Sequence, residues 1–388
     1  MDYNKILNPE VLNIKPSGIR KFFDLAETME EVISLGVGEP DFPTPWQIRQ
    51  AGIRSLEESK TRYTSNWGLQ ALRETIASYM ERKYDLRYDP LHEILVTVGG
   101  SEAIDGCIRA TVCPGDEVII PQPSYVCYEP ITQLAGGVPV IIETKAEDQF
   151  KLTPEALKAA ITPKTKVLIL PYPCNPTGAI MEREDLEKIA AILRETNIVV
   201  LSDEIYAELT FGGKKHVSIA SLPGMAERTL VVNGFAKAFS MTGWRLGYAC
   251  GPAELVAQVT KIHQYAIMCA PTTSQYAAIT AMTACDDVVA EMVEEYDTRR
   301  RLIVDGFNKL GLTCRDPKGA FYAFPSIQKT GLTSEEFCQQ LLEKKHVAVV
   351  PGTAFGQGGE GFIRASYCYS TAHIKEALKR IGEFLEER

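Results

Sequence analysis

Lys237 lies in the stretch Asn233-Gly234-Phe235-Ala236-Lys237-Ala238-Phe239-Ser240-Met241-Thr242-Gly243-Trp244-Arg245, directly after the apolar run Thr229–Phe235. An amine held at the mouth of an apolar strand is disfavoured as ammonium, so its pKa falls and it becomes a nucleophile. Such a lysine forms Schiff bases with aldehydes and ketones. Arg245 follows past a turn at Gly243 and can return a fixed positive charge to the same place. The plainer reading of Lys237 is a structural lysine with a buried stem.

Other residues with chemical potential also fall at strand ends. Asp203 closes the apolar run Ile198–Leu201, at the edge where parallel sheets bind ligands, and Tyr206 follows it. The acid can pair with a protonated ring nitrogen and the phenol with a ring oxygen; the alternative is a helix cap and a packing tyrosine. Asn175 sits among Pro171, Pro173 and Pro176, a rigid loop that fixes its amide, whether for a ligand or only for a turn. Tyr125, after Pro121-Gln122-Pro123-Ser124, can stack on a planar ring or belong to the core. Gly99-Gly100-Ser101 opens a helix, where free N–H groups suit a phosphate, although plain strand-to-helix turns look the same. Arg364 is flanked by Phe362, Ile363 and Ala365, so it needs an anion, either a ligand carboxylate or a structural partner. Leu35 to Phe42, with Gly36 and Gly38, reads as a loop able to close over a site, and Tyr63 as a loop residue without a local partner. An imine-forming lysine, a ring-nitrogen acid and a phosphate turn together point to pyridoxal 5'-phosphate.

Most of the chain alternates strand-like and helix-like segments, the pattern of an α/β protein with a mainly parallel sheet. Runs at Ile94–Val98, Val118–Pro121, Val138–Ile142, Val167–Leu170, Ile198–Leu201 and Leu230–Val232 read as buried strands. Helical spacing appears at Leu69, Leu72, Ile76, Tyr79 and Met80 and again at Leu186, Ile189, Ala190 and Leu193. Thr153-Pro154-Glu155 has the form of a helix start. A long helical pattern from Val289 to Ile303 leads to short strands around Ala320–Ile327, Val347–Val350 and Phe362–Tyr367, with helices at Ser334–Lys344 and Ala372–Glu386. The expected division is a large cofactor-binding domain over 46–283 and a smaller α+β domain from 1–45 and 284–388.

Composition narrows the classes. With 388 residues, 45% hydrophobic and 23% charged, the chain reads as globular with a core large enough to divide in two. A net charge of -9 and the lack of a basic block argue against nucleic acid. No apolar run reaches membrane-spanning length, and Met1–Glu10 is too polar for a signal peptide. Ten scattered cysteines and five scattered histidines show no metal spacing and fit a reduced, cytoplasmic enzyme without a metal.

The segments Gly36–Pro45, Tyr63, Asn175–Gly178, Asp203–Tyr206, Lys237–Arg245 and Arg364, in this order and spacing, resemble the class I/II aminotransferases, fold-type I pyridoxal-phosphate enzymes. The branch it most resembles holds aspartate, aromatic and N-acetyl-diaminopimelate aminotransferases. The resemblance implies a seven-stranded sheet and a cofactor joined to Lys237, which also shuttles the substrate α-proton. It places Asp203 on the pyridinium, Tyr206 and Asn175 on the ring oxygen, and Tyr125 on the ring face. Gly100, Ser101 and Arg245 would hold the phosphate, together with Tyr63 of a neighbouring subunit in a homodimer with shared sites. Arg364, Gly38 and Asn175 would bind the α-carboxylate. Ala236 departs from the family, in which many members carry a serine that contacts the phosphate. The implied reaction is ping-pong transfer of an amino group from an L-amino acid to a 2-oxo acid such as 2-oxoglutarate. Trp67, Tyr63 and Ile14 are the candidates for the side-chain pocket. Alternatives are a cysteine-conjugate β-lyase on the same fold, a scaffold without cofactor, and a cofactor-binding regulator. Regulators usually add a DNA-binding domain, for which a resemblance beginning by about Ser17 leaves no room.

Overall fold

The computed structural model of the chain describes residues 1–16 and 29–387, so Ser17 lies outside the described part. A short strand, β1 (Ile33–Ser34), precedes β2 (Ile94–Thr97), β3 (Glu117–Gln122), β4 (Val138–Glu143), β5 (Thr165–Leu170), β6 (Val199–Asp203), β7 (Thr229–Gly234) and β8 (Gly247–Cys250). The strands from β2 to β8 form one seven-stranded sheet in the order β2-β8-β7-β6-β5-β3-β4. Neighbours run parallel except at β8, which is antiparallel to both β2 and β7.

Helices cover both faces, which is why the strands read as unbroken apolar runs. Strands β2, β7 and β8 are buried at every position. Side chains still alternate between two cores, as strand geometry requires. Val118 and Ile120 pack with Ile104, Ile108 and Val259 under the helices Gly100–Thr111 and Ala253–Ala266. Ile119, between them, packs with Leu168, Leu186 and Ile189 under the helix Arg183–Leu193. Each such fully buried side chain contributes roughly 1.5–3 kcal/mol.

Strand β8 was absent from the sequence reading, because it is short and opens on glycine rather than on a β-branched residue. That glycine has a reason. A Cβ on Gly247 would stand 2.7 Å from the backbone carbon of Gly99, so only glycine lets β8 lie against the turn after β2.

The helix Asp286–Lys309 leads into β9 (Tyr322–Ala323), β10 (Val347–Ala348), β11 (Val350–Pro351) and β12 (Ile363–Ser366). Three of these, β11-β12-β9 in sheet order, form a separate sheet that is antiparallel throughout. The strand expected over Ala320–Ile327 is regular only at Tyr322–Ala323, with a single bridge from Ser326 to Phe362. The run Val347–Val350 divides, because β10 pairs with β1 while β11 turns to β12. Helices Ser334–Lys345 and Thr371–Glu386 cover these strands, the first started by a capping box between Thr333 and Glu336. Before the undescribed stretch, Pro9–Asn13 lies against the helix Tyr128–Leu134.

The parallel strands β3, β5, β6 and β7 all end at one edge. The loops leaving that edge carry Tyr125, Asn175, Tyr206 and Lys237. Ligands of open α/β sheets bind at such an edge.

Candidate active site

A cavity of about 500 Å³ opens at this edge, between the large sheet and the strands β9 and β12. Lys237, Asp203, Tyr206, Asn175, Tyr125, Gly100, Ser101, Arg245, Arg364 and Gly38 all line it. One residue expected at the site, Tyr63, does not.

Lys237 donates from Nζ to the carbonyl of Gly38 at 2.7 Å and has no carboxylate partner among the described residues. Burial, with Arg364 and Arg245 adding repulsion and Cys368 and Glu39 opposing it, lowers its pKa from 10.5 to about 8. The amine also lies 5.8 Å from the ring centre of Tyr206 and 5.6 Å from that of Phe321. A lysine so placed is a competent nucleophile and base near neutral pH.

Asp203 is buried at the tip of β6. Burial pushes its carboxyl above the usual range, while hydrogen bonds from the Tyr128 hydroxyl and the Ile205 N–H pull it down. Tyr128 donates to Oδ2 at 2.7 Å. The adjacent Glu204 is fully buried, and its oxygens are taken by Ser202, Ser218 and His216 at 2.8, 2.6 and 2.7 Å. Asp203 is therefore the acid of this pair that faces the cavity.

The turn after β2 forms the opposite end. Gly99 has φ +82°, and a Cβ there would meet a guanidinium nitrogen of Arg245 at 3.0 Å. No side chain caps the helix that starts at Gly100, so its first N–H groups and Arg245 make an anion site. Arg245 is itself held by the Thr242 carbonyl at 3.0 Å. Tyr125 stands beside this turn, lining the cavity with Ser101 and edge-on to Tyr128 with ring centres 5.8 Å apart.

Arg364 is buried, and no acidic residue pairs with it among the described residues. Its Nη1 donates to Oδ1 of Asn175 at 2.9 Å, its Nη2 to the Gly36 carbonyl at 2.5 Å, and its Nε has no partner. The rings of Tyr322 and Phe355 flank it at 4.5 and 4.8 Å. Among the described residues the structural ion pair considered from the sequence does not occur. A buried guanidinium without an anion is expensive, and a ligand carboxylate would satisfy it. Tyr206 shares a hydrogen bond with Tyr322, their hydroxyls 2.8 Å apart. A Cβ on Gly38 would stand 2.0 Å from the Tyr322 hydroxyl, so this loop position requires glycine.

Tyr128 and Tyr322 are the cavity tyrosines that the sequence did not reveal. Tyr128 falls one helical turn after Tyr125, a weak clue; Tyr322 is lost within the aromatic run Phe321–Phe324. Tyr63 is 82% exposed. Neither Trp67 nor Ile14 lines the cavity: Trp67 packs toward the core under the helix Gly100–Thr111, and Ile14 borders a neighbouring cleft that meets the cavity only at Tyr125 and Tyr128.

Residues 30–381 match the family model described as aminotransferase class I and II. A Bacillus subtilis (strain 168) protein, YugH, is 52% identical over 381 residues, covering 98% of each chain. The chain belongs to the class I and II aminotransferases. An aspartate aminotransferase of Pyrococcus abyssi (strain GE5 / Orsay) is 45% identical, with 97% of each chain covered. The crystal structure of an aromatic aminotransferase from Pyrococcus horikoshii OT3 superimposes with a TM-score of 0.91 at 44% identity, covering 95% of this chain and 99% of that one. An aminotransferase moves an amino group between an amino acid and a 2-oxo acid. Both carry an α-carboxylate, the group that the unpaired guanidinium of Arg364 suits. No helix among the described residues is long and apolar enough to cross a membrane, and no cluster of metal-ligating side chains occurs among them.

Proposed function

We propose that this aminotransferase uses pyridoxal 5'-phosphate joined to Lys237, and that it transfers the amino group of an aspartate-like, aromatic or N-acetyl-diaminopimelate-like L-amino acid to a 2-oxo acid, 2-oxoglutarate in one direction. The observation carrying this reading is that, among the described residues, neither the Lys237 amine nor Arg364 has a carboxylate partner, and both open on the same cavity. The residues present fit the group. The uncapped helix start at Gly100, Ser101 and Arg245 would receive its phosphate, Asp203 its ring nitrogen, and Tyr206 with Asn175 its ring oxygen, with Tyr125 against its face. When bound, the cofactor supplies an aldehyde and a ring that accepts the negative charge developing at the substrate α-carbon.

The chain's own groups do the rest. Arg364 and the Gly38 loop bind the α-carboxylate and fix the α-hydrogen toward Lys237. Lys237 Nζ, with a pKa of about 8, takes that proton and returns it on the other side of the exchange. Positioned proton transfer of this kind is worth roughly 10²–10⁴-fold. Asp203, charged and shielded from water, keeps a proton on the group it faces. Ala236 offers no hydroxyl to the phosphate, which leaves more of that duty to the helix start and Arg245.

The catalytic unit of this proposal is a homodimer. Tyr63, 82% exposed, Tyr265, 88% exposed, Met268 and Trp46 are large apolar side chains left in solvent, an excess that a second copy would cover. Tyr63 would then reach the partner's phosphate site. The proposed working division is a large domain over 46–283 and a small domain from 1–45 and 284–388. All ten cysteines are unpaired, consistent with a cytoplasmic setting.

A panel of amino donors with 2-oxoglutarate, ranked by kcat/KM, tests the substrate reading. Glutamate formed from aspartate, aromatic or N-acyl-diamino donors supports it. Ammonia and pyruvate released from cysteine conjugates without any acceptor would replace it with the lyase reading.

A further inference from the structure

Two helices meet behind the phosphate end of the cavity. Gly100–Thr111 begins at that end, and Ala253–Ala266 packs against it. They approach closely at Gly106, where a Cβ would stand 2.9 Å from Cγ1 of Val259. One turn along from each of these residues are Glu102 and His263. The spacing makes the contact inevitable, because residues four apart share a helix face.

Glu102 is in the first turn but does not line the cavity, and both of its oxygens have partners outside that lining. Oε2 accepts from the backbone N–H of Val98, and Oε1 meets Nδ1 of His263, each at 2.5 Å. The side chain of His263 is 1% exposed, and its Nε2 has no partner. A neutral ring with its proton on Nδ1 leaves only a lone pair unpaired, the cheaper of the choices in a buried site. The carbonyl of His263 is fixed as well, accepting from Ile267 and Met268 at 2.8 and 3.2 Å.

The arrangement matters because a carboxylate in a first helical turn competes for that helix's free N–H groups. Left loose, Glu102 would fold toward Gly100 and Ser101 and place a negative charge where the phosphate belongs. We infer that Glu102 and His263 are positioning residues for the phosphate cradle: the histidine pulls the carboxylate back, and the carboxylate pins Val98, so the turn from Val98 to Ser101 keeps its donors open. This inference rests on the reading that the cavity holds pyridoxal phosphate, and it assigns a task to two residues that touch neither cofactor nor substrate.

The test compares two probes, pyridoxal 5'-phosphate and pyridoxal, which differ only in the phosphate. Dissociation constants are measured by absorbance or fluorescence on the full-length cofactor-free protein. His263→Leu, similar in bulk but without a donor, should weaken pyridoxal phosphate about tenfold and leave pyridoxal within about threefold. His263→Asn, whose amide nitrogen reproduces the Nδ1 position, should stay within about threefold of wild type for both probes. Adding Glu102→Gln to His263→Leu should recover much of the loss, because the misplaced charge is gone. Glu102→Asp keeps the charge but is too short to reach both anchors; it carries the same expectation as His263→Leu and serves if that variant does not fold. Equal loss of both probes, no loss of either, or no recovery in the double variant would overturn the inference. A wild-type protein that binds neither probe would instead remove the cofactor reading itself.

Discussion

Arg364 and Asn175 are joined by a 2.9 Å hydrogen bond from guanidinium Nη1 to amide Oδ1. The bond fixes the asparagine amide, because its oxygen is committed and its NH₂ is left for the cavity. It also leaves the arginine charge unneutralised, since an amide oxygen carries no net charge. Under the proposed function, the pair is a preformed receptor for a carboxylate.

Arg364→Ala should therefore raise KM for amino donor and 2-oxo acid alike, costing roughly 2–5 kcal/mol in carboxylate binding. Steady-state kinetics with both substrates check this. An unchanged KM for either one removes Arg364 from the role.

Tyr128→Phe deletes the hydroxyl that donates to Asp203 while keeping the ring. The hydrogen bond lowers the carboxyl pKa against the larger opposing effect of burial. Its loss should raise that pKa further, so Asp203 becomes protonated at a higher pH. The acid limb of the kcat/KM profile should move upward, with a weaker hold on the cofactor. Profiles of wild type and variant that coincide on the acid side would show that Tyr128 does not tune Asp203.

Lys237 makes the stability of the cofactor-free protein depend on pH. Its folded pKa of about 8 lies below the ordinary 10.5, so the unfolded chain holds the proton over a range where the folded chain has lost it. Stability contributed by this group therefore rises as pH climbs through that window, and below it the buried charge carries its full cost. Lys237→Met should be more stable than the cofactor-free wild type near neutral pH, by roughly 1–3 kcal/mol given that the cavity is open to water. Denaturant midpoints across the window should show the gap closing as pH rises. A gap independent of pH would mean that the amine is not the cause.

Gly38→Ala forces a methyl group toward the Tyr322 hydroxyl, which would stand 2.0 Å away. The loop and Tyr322 cannot both stay, so the Gly38 carbonyl should leave the Lys237 amine. Overpacking of this order costs roughly 1–3 kcal/mol, and kcat/KM should fall at least tenfold with it. Activity equal to wild type would show that the loop position is not needed.

Much of this was legible in the sequence because parallel strands buried on both faces are unbroken apolar runs, and the residues that follow them land at one edge. Asp203, Asn175, Tyr125 and Lys237 were found that way. Strand β8 was not, since its opening glycine serves a backbone contact with Gly99 that no local pattern records. Tyr128 and Tyr322 escaped because a tyrosine in an apolar neighbourhood reads as core until its hydroxyl partner is known. The pairing of Glu102 with His263 spans 161 positions, and only the packing of two helices brings them together. Ile14 and Trp67 do not line the cavity of this chain, and no local pattern around either residue indicates which way its side chain faces.

The proposed chemistry depends on covalent attachment of the cofactor aldehyde to one amine. Reduction of the pyridoxal-phosphate-loaded protein with borohydride, followed by peptide mass mapping, reads it directly. A single phosphopyridoxyl adduct on Lys237, absent from Lys237→Ala, is expected. An adduct on another lysine, or none at all, would contradict it.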